Sequence, residues 1–214
     1  MVAEPSSSPE ARQQHWDHVY ATKAPMEVSW YQASPDVSLS LIASTGLGRS
    51  ARLMDVGGGA STLVDALVAS GHEAVTVVDI APAALDAARE RLGRQAEQVQ
   101  WIVADVITWT PPSPVDIWHD RAVFHFLIEE VDRRSYLAAL RNAVHMGGSV
   151  IIATFALKGP DKCSGLPVRR YSPDLLAAEL GPDFTLAETA EDNHRTPWGT
   201  VQPFVYCRFR RRGI

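Results

Sequence analysis

The sequence predicts an α/β fold in which a mostly parallel sheet forms the centre of a single domain. Three observations predict it: a strand, a glycine turn and a helix follow one another in residues 52–71, apolar β-branched runs recur after them, and helical or turn-rich stretches separate those runs. A chain of 214 residues suits one domain and is long enough to bury a full core.

Composition excludes several function classes. A formal charge of −5 argues against a general nucleic-acid-binding protein, which would carry a basic face. The first residues contain no apolar run for a signal peptide, and no segment approaches ~20 consecutive apolar residues. The two cysteines, Cys163 and Cys207, make neither a disulfide framework nor a zinc site, and Cys163 reads as an inert small residue. We therefore expect a cytoplasmic protein without nucleic-acid, membrane or metal partners.

The stretch LMDVGGGAST, residues 53–62, predicts a nucleotide-binding turn. A short strand ends at Val56, three glycines follow as residues 57–59, and helical spacing begins at Thr62 and stops at Gly71. Glycines allow backbone conformations closed to other residues and allow the backbone to approach a ligand closely. This is the opening of a βαβ unit.

The identity of the nucleotide depends on two positions. A dinucleotide site would have a third glycine where this chain has Thr62, and Asp55 would place a negative charge beside a pyrophosphate. The acid instead favours a nucleoside ligand that carries positive charge. A dehydrogenase with an unusual glycine loop, or a purely structural turn, remains as the alternative.

Carboxylates recur at the ends of the predicted strands. The runs 74–80, 99–106 and 115–120 reach Asp79, Asp105 and Asp120, as the first strand reaches Asp55. Asp79 follows Gly59 by twenty positions, where an acid accepts hydrogen bonds from ribose hydroxyls. A single terminal Asp is most often a helix cap, but four in register predict a ligand-binding carboxyl edge.

The sequence resembles the Rossmann-like S-adenosylmethionine-dependent methyltransferases over residues 12–211. The likeness is carried by DVGGGAST at 55–62, by Asp79, by ADV at 104–106 and by HMGGSVII at 145–152, with Ser61 where the family commonly has a last glycine. The resemblance implies S-adenosylmethionine as the cofactor. It also implies a seven-stranded sheet with a C-terminal antiparallel hairpin and an N-terminal helical lid.

By the same resemblance, the cofactor contacts can be assigned. Gly57 and Gly59 border the methionine part, Asp79 holds the ribose, and Asp105 with Val106 meets the adenine. The other expected contacts are Trp16, Tyr20, Trp30, Asp55, Gly58, Ile80 and Asp120.

The remaining elements follow in order. We expect residues 1–9 to be disordered and 10–214 to form the domain. Its parts are lid helices at 10–46, a cofactor-binding core at 51–156, an acceptor-side loop, helix and first hairpin strand at 157–200, and a last strand at 201–211. Within these parts the patterns predict helices at 9–22, 35–45, 81–93, 121–145 and from Ser172, and a strand at 150–156.

Aromatic residues before the first sheet strand predict the lid. HWDHVY at 15–20 and SWYQ at 29–32 resemble the start of the protein-lysine methyltransferases, in which such aromatics close over the cofactor. The alternative is ordinary core packing.

Residues after the fourth strand are the catalytic candidates. Where the related lysine methyltransferases read Asp-Lys-Gly-Thr-Phe-Asp, this chain has Asp120 and then His125 in place of the second acid. His119, Asp120 and His125 are the candidate catalytic residues, although such histidines are often only packed. The expected substrate contacts are Tyr31, Arg121, Arg169 and His194.

The predicted function is in-line transfer of a methyl group to a small-molecule or protein-lysine acceptor. Acids at the site suit a cationic acceptor, whereas the basic loop at 157–173 suits an anionic one, so both stay open. The alternatives are an NAD(P)-dependent dehydrogenase and a regulatory module that binds the cofactor without turnover.

Overall fold

A computed structural model describes residues 8–213. Its α-helices are α1 (Pro9–Thr22), α2 (Asp36–Ala43), α3 (Leu63–Ala69), α4 (Pro82–Leu92), α5 (Glu130–Ala143) and α6 (Pro173–Leu180). Its strands are β1 (Leu53–Val56), β2 (Val75–Asp79), β3 (Val99–Val103), β4 (Val115–Arg121), β5 (Val144–Phe155), β6 (Lys162–Cys163), β7 (Leu166–Pro167), β8 (Phe184–Arg195) and β9 (Val201–Arg211).

Seven of these strands form one sheet in the order β3-β2-β1-β4-β5-β9-β8. The first five are parallel, and β9 runs antiparallel to both β5 and β8. The predicted α/β class, the mostly parallel seven-stranded sheet and the terminal antiparallel hairpin are therefore confirmed. The order reverses between β1 and β4, which is where open α/β sheets bind ligands.

Helices cover both faces of the sheet. One apolar cluster packs Leu140 of α5 and Leu176 of α6 against the strands. The other packs Leu41, Leu67 and Leu85, from α2, α3 and α4, against the opposite face. All four residues of β1 are buried, as expected for a central parallel strand, so the β1–β4 pair is held from both sides.

The N-terminal and acceptor-side segments differ in detail from the predictions. Ser8 caps α1 and Pro9 is its first residue, while residues 1–7 of the segment predicted to be disordered lie outside the described residues. The loop at 157–173 contains the small antiparallel pair β6–β7. No helix within residues 8–213 has the length and apolar character required to span a bilayer.

The predicted helix over 121–145 is wrong in its first part, because α5 begins only at Glu130. Ala122 has a φ of +74°, which interrupts a helix immediately after β4. The carboxylate of Asp120 accepts hydrogen bonds from the backbone N–H groups of Val123 (2.9 Å) and Phe124 (3.1 Å). The chain therefore crosses the sheet edge as a loop, and β5 starts directly after α5 at Val144.

The first prediction concerns the side-chain network that holds this loop. The Tyr136 hydroxyl donates to Asp120 (2.6 Å) and accepts from the indole N–H of Trp118 (2.9 Å). Tyr136→Phe should lower the free energy of unfolding by about 1–3 kcal/mol, because it leaves the buried indole N–H of Trp118 unpaired and removes one of the donors to the Asp120 carboxylate. Urea denaturation measures the change.

Tyr171→Phe is the matched control, since the Tyr171 hydroxyl is buried without a hydrogen-bond partner. Its removal should leave stability unchanged or slightly raised. Equal losses in the two variants would contradict the importance of the Asp120 network.

Candidate active site

A crevice opens at the carboxyl ends of β1, β2 and β4, beneath α1. Its empty volume, including the open mouth, is about 840 Å³. A smaller hollow adjoins it on the side of the glycine turn. Of the residues expected at the site, the crevice is lined by Trp16, Tyr20, Trp30, Gly57, Asp79, Ile80, Asp105, Val106 and Arg121. The smaller hollow adds Tyr31, Asp55, Gly58 and His119.

The glycine turn lies too close to its neighbours for side chains. Gly57 has a φ of +64°, and a Cβ there would lie 2.0 Å from Cγ2 of Val123. A Cβ on Gly58 would lie 2.6 Å from Oδ2 of Asp55. Gly59 lines neither cavity, but it allows the Asp79 carboxylate to approach the turn. The three glycines thus leave a backbone cradle beside the crevice.

Asp79 ends β2 as a buried acid. Its Oδ1 accepts from the backbone N–H of Ala81 (2.8 Å), and the residue is 8% exposed as part of the crevice wall. Burial, with a smaller contribution from the charge of Asp55, raises the pKa of Asp79 to about 7. An ionised Asp79 therefore gains from any donor or positive charge brought to it by a ligand.

Asp105 is paired with the lid helix. Arg12 of α1 donates through Nε (3.0 Å) and Nη2 (2.7 Å) to one carboxylate oxygen of Asp105. The other oxygen accepts from the backbone N–H of Ile107 (3.2 Å). This pair joins α1 to the segment after β3 across the mouth of the crevice.

Aromatic side chains complete the lid. Trp16 meets Trp30 and Phe126 edge to face, with centroid distances of 5.7 and 5.0 Å. The indole N–H of Trp30 donates to the Tyr20 hydroxyl (3.3 Å). Burial, and secondarily the charge of Asp79, raise the pKa of Tyr20, which stays protonated. These contacts join three aromatics that line the crevice, and Trp30 also packs against the core cluster that contains Leu41.

His119 lies at the smaller hollow with both ring nitrogens engaged. Nδ1 is 2.7 Å from Oδ1 of Asp55, and Nε2 is 2.9 Å from Oγ of Ser38 in α2. The residue is 2% exposed. The ring thus connects Asp55 and α2 with both nitrogens engaged, and the role of His119 as a general base stays a prediction.

Asp120 and His125 do not reach the crevice. Both are 0% exposed and line neither cavity. Asp120 turns into the loop that it caps, and burial raises its pKa to about 6. Burial lowers the pKa of His125 to about 3, so its ring is neutral and accepts from the backbone N–H of Phe155 at Nδ1 (3.4 Å). Their burial does not favour the predicted catalytic roles of both residues or the cofactor contact of Asp120, which stay predictions.

The four expected substrate contacts separate into two pairs. Tyr31 and Arg121 line the cavities. Arg169 instead pairs with Glu179 (2.7 Å) and does not line the crevice, so its substrate contact stays a prediction that this position does not favour. His194 lines neither cavity, because its Nε2 bonds the carbonyl of Ser29 (2.7 Å) and so fixes the loop before Trp30.

Several residues that line the crevice were not predicted from the sequence. Arg12 had a usable signal, since Arg12, Trp16 and Tyr20 recur every four residues and therefore share one face of α1. Val123, Phe126 and Leu127 were obscured by the helix predicted over them. Cys163 lines the crevice from β6, and burial raises the pKa of its thiol to about 11, so it is neutral.

Comparison with known proteins shows which class of enzyme the chain is similar to. Residues 54–150 match the family model described as a methyltransferase domain. The chain is 30% identical over 154 residues to a 3-hydroxy-5-methyl-1-naphthoate 3-O-methyltransferase of Streptomyces sahachiroi, over 69% of this chain and 43% of that protein. The chain thus spans less than half the length of this curated relative.

Two solved structures show the fold. A SAM-dependent methyltransferase from Anabaena variabilis superposes with a TM-score of 0.75 at 15% identity, covering 99% of this chain and 98% of that one. The 1,6-didemethyltoxoflavin-N1-methyltransferase of Burkholderia thailandensis, bound to 1,6-didemethyltoxoflavin and S-adenosylhomocysteine, has a TM-score of 0.68 at 20% identity, covering 99% and 94%. Residues 54–150 are thus a methyltransferase domain, and the chain has the Rossmann-like fold of the S-adenosylmethionine-dependent methyltransferases. This confirms the resemblance found in the sequence.

The second prediction concerns Asp79 in the protein without ligand. Its pKa rises from 3.8 to about 7 on folding, so the stability associated with its protonated form is fully present below about pH 4 and is lost as the pH rises through 7. The Asp79→Asn variant has no carboxyl group to ionise, so it does not lose this stability as the pH rises. Relative to wild type, its free energy of unfolding should increase by about 1–4 kcal/mol between pH 4 and pH 8.

Denaturant unfolding at the two pH values measures this change. Asp86→Asn is the control, because the Asp86 side chain on α4 is 68% exposed. A difference between the Asp79→Asn variant and wild type that stays constant with pH would show that Asp79 is ionised without cost.

Proposed function

We propose that this chain transfers a methyl group from S-adenosylmethionine to a small-molecule acceptor by in-line displacement. The observation that carries the proposal is the arrangement of Asp55, Asp79 and Asp105 around a glycine cradle, at the switch point of the sheet and beneath an aromatic lid. This arrangement complements a nucleoside that carries positive charge.

The lining residues fit the parts of this cofactor. The carboxylate of Asp79 accepts from the ribose hydroxyls, and Gly57 and Gly58 border the methionine part beside Asp55. Asp105 and Val106 border the adenine under Arg12. The glycine turn borders both cavities through Gly57, which leaves the backbone there open to a ligand. The Burkholderia thailandensis enzyme shares this fold and is bound to S-adenosylhomocysteine, which agrees with the choice of cofactor.

The bound cofactor supplies an electrophilic methyl group: the acceptor's lone pair forms the new bond to carbon, and the carbon–sulfur bond breaks with its electron pair left on a neutral sulfide. The chain contributes positioning and exclusion of water by Trp16, Trp30 and Phe126. Because the ring nitrogens of His119 are engaged and His125 is buried, the acceptor gives up its proton to solvent before the aromatic roof excludes water, rather than to either histidine.

A small molecule is the favoured acceptor over a protein lysine. The crevice is roofed by α1 and its aromatics, and Arg12 and Asp105 close its mouth. Such a pocket suits a compact acceptor that is enclosed with the cofactor. The names of the Streptomyces and Burkholderia relatives point to small ring-containing acceptors, which agrees with this choice.

The third prediction tests the cofactor assignment. S-adenosylhomocysteine should bind in calorimetry, and nicotinamide dinucleotides should not. Asp79→Ala should weaken the binding by a factor of tens or more, because charge-assisted hydrogen bonds to the ribose are lost at about 1.5–3 kcal/mol each. Asp86→Ala, on the exposed side of α4, is the control and should bind as wild type does.

The outcomes separate the alternatives. Binding of a nicotinamide cofactor in place of S-adenosylhomocysteine would indicate a dehydrogenase. Binding without any labelled product, after incubation with radiolabelled S-adenosylmethionine and a cell extract, would indicate a regulatory module. The size of a labelled product distinguishes a metabolite from a protein.

The fourth prediction tests the lid. Trp30→Ala should increase the dissociation rate of S-adenosylhomocysteine about tenfold, because it removes the contacts to Trp16 and Tyr20 that hold the roof closed. Trp198→Ala is the matched control, since Trp198 is 61% exposed in the β8–β9 turn. Stopped-flow competition measures both rates, and equal rates in the two variants would place Trp30 in the core rather than in a lid.

A further inference from the structure

Arg121 is the last residue of β4, and its side chain extends toward β9. Its Nε donates to the Tyr206 hydroxyl (2.9 Å), and its guanidinium lies 4.6 Å from the ring centre of Phe204. Both partners are on β9, beyond β5, whereas the glycine turn lies on the opposite side of β4. The side chain therefore points away from the half of the crevice that holds Asp79 and Asp105.

One nitrogen of this guanidinium has no partner among the described residues. Nη1 donates to the carbonyl of Trp30 (2.9 Å), but Nη2 is buried and makes no hydrogen bond within residues 8–213. Within residues 8–213, Arg121 forms no ion pair with a carboxylate. Arginine stays protonated in proteins, and a buried charged donor without an acceptor is costly. The positive charge also contributes to lowering the pKa values of His125 and His194, after burial.

The two arginines of the basic loop at 157–173 are already engaged. Arg169 pairs with Glu179, and Arg170 donates to the carbonyl of Gly159 (3.2 Å). Arg121 lies outside this loop, at the end of β4, and it lines both the crevice and the smaller hollow. The site is consequently divided in charge, with carboxylates at the ends of β1–β3 and a guanidinium at the end of β4.

We propose that Arg121 anchors an anionic acceptor, namely a small carboxylic acid with an aromatic or other apolar body. Nη2 is buried before the acceptor binds, so the bound carboxylate draws the guanidinium toward the cavities that Arg121 lines and then accepts from Nη2. The apolar body lies against Trp30, which lines the same two cavities. The nucleophilic atom of the acceptor is thereby directed toward the glycine-turn side. This inference rests on the proposed function and assigns the acceptor class within it.

Calorimetry on protein saturated with S-adenosylhomocysteine tests the inference. Benzoate is the probe and benzamide its neutral isostere. We expect wild type to bind benzoate at least about tenfold more tightly than benzamide, and Arg121→Gln to lose that preference. Arg170→Gln, a change of the same kind outside the cavity lining, should keep the preference.

A second comparison excludes the other source of a carboxylate, the methionine part of the cofactor. S-adenosylhomocysteine and 5′-methylthioadenosine, which lacks the amino acid, should each lose little affinity in Arg121→Gln. A tenfold loss for the first ligand alone would assign Nη2 to the cofactor and overturn the inference.

The remaining outcomes are also decisive. Equal binding of benzoate and benzamide by loaded wild type, or no binding of either, would overturn the anionic acceptor while leaving the proposed function intact. Failure of S-adenosylhomocysteine to bind would contradict the proposed function itself. Should Arg121→Gln not fold, the benzoate-to-benzamide preference of wild type decides alone.

Discussion

The burial of the Asp120 carboxylate is the constraint on which the site geometry depends. Two backbone N–H groups and the Tyr136 hydroxyl offset its removal from water, and together they bend the chain out of β4. That bend places Val123 against Gly57 and Arg121 at the junction of the two cavities. Asp120, which was predicted from the sequence as a site residue, thus supports the loop after β4 that forms one wall of the crevice.

A second constraint is the division of charge across the crevice. Asp79 and Asp55 are buried near each other, which raises the pKa of Asp79, while Arg121 lies across β4 without an acid partner. The buried pair of acids and the guanidinium of Arg121 each cost free energy when no ligand is bound. A ligand of opposite charge offsets each cost. A cationic cofactor and an anionic acceptor satisfy both at once, and their mutual attraction also favours the approach of nucleophile to methyl group.

The lid is joined to the core by contacts of different kinds. Arg12 binds Asp105 through charge, Trp16 packs on Phe126, and His194 holds the carbonyl of Ser29 just before Trp30. The β8–β9 hairpin, which carries His194, therefore helps to position the loop that ends in Trp30. The two solved structures share this fold at only 15% and 20% identity, so the fold is common to chains of very different sequence.

Local patterns in the sequence determined the fold class, the order of the elements, the glycine turn and the acids at the ends of β1–β3. These follow from periodicity, glycine spacing and strand ends, which are properties of neighbouring residues. Tertiary structure alone decided where polar side chains point. Arg12 meets Asp105 from 93 positions away, Arg121 meets Tyr206 from 85, and His119 meets Asp55 from 64. Such pairings depend on which strands and helices pack together, and burial then sets whether an acid or histidine at a strand end faces a ligand or supports the wall behind it.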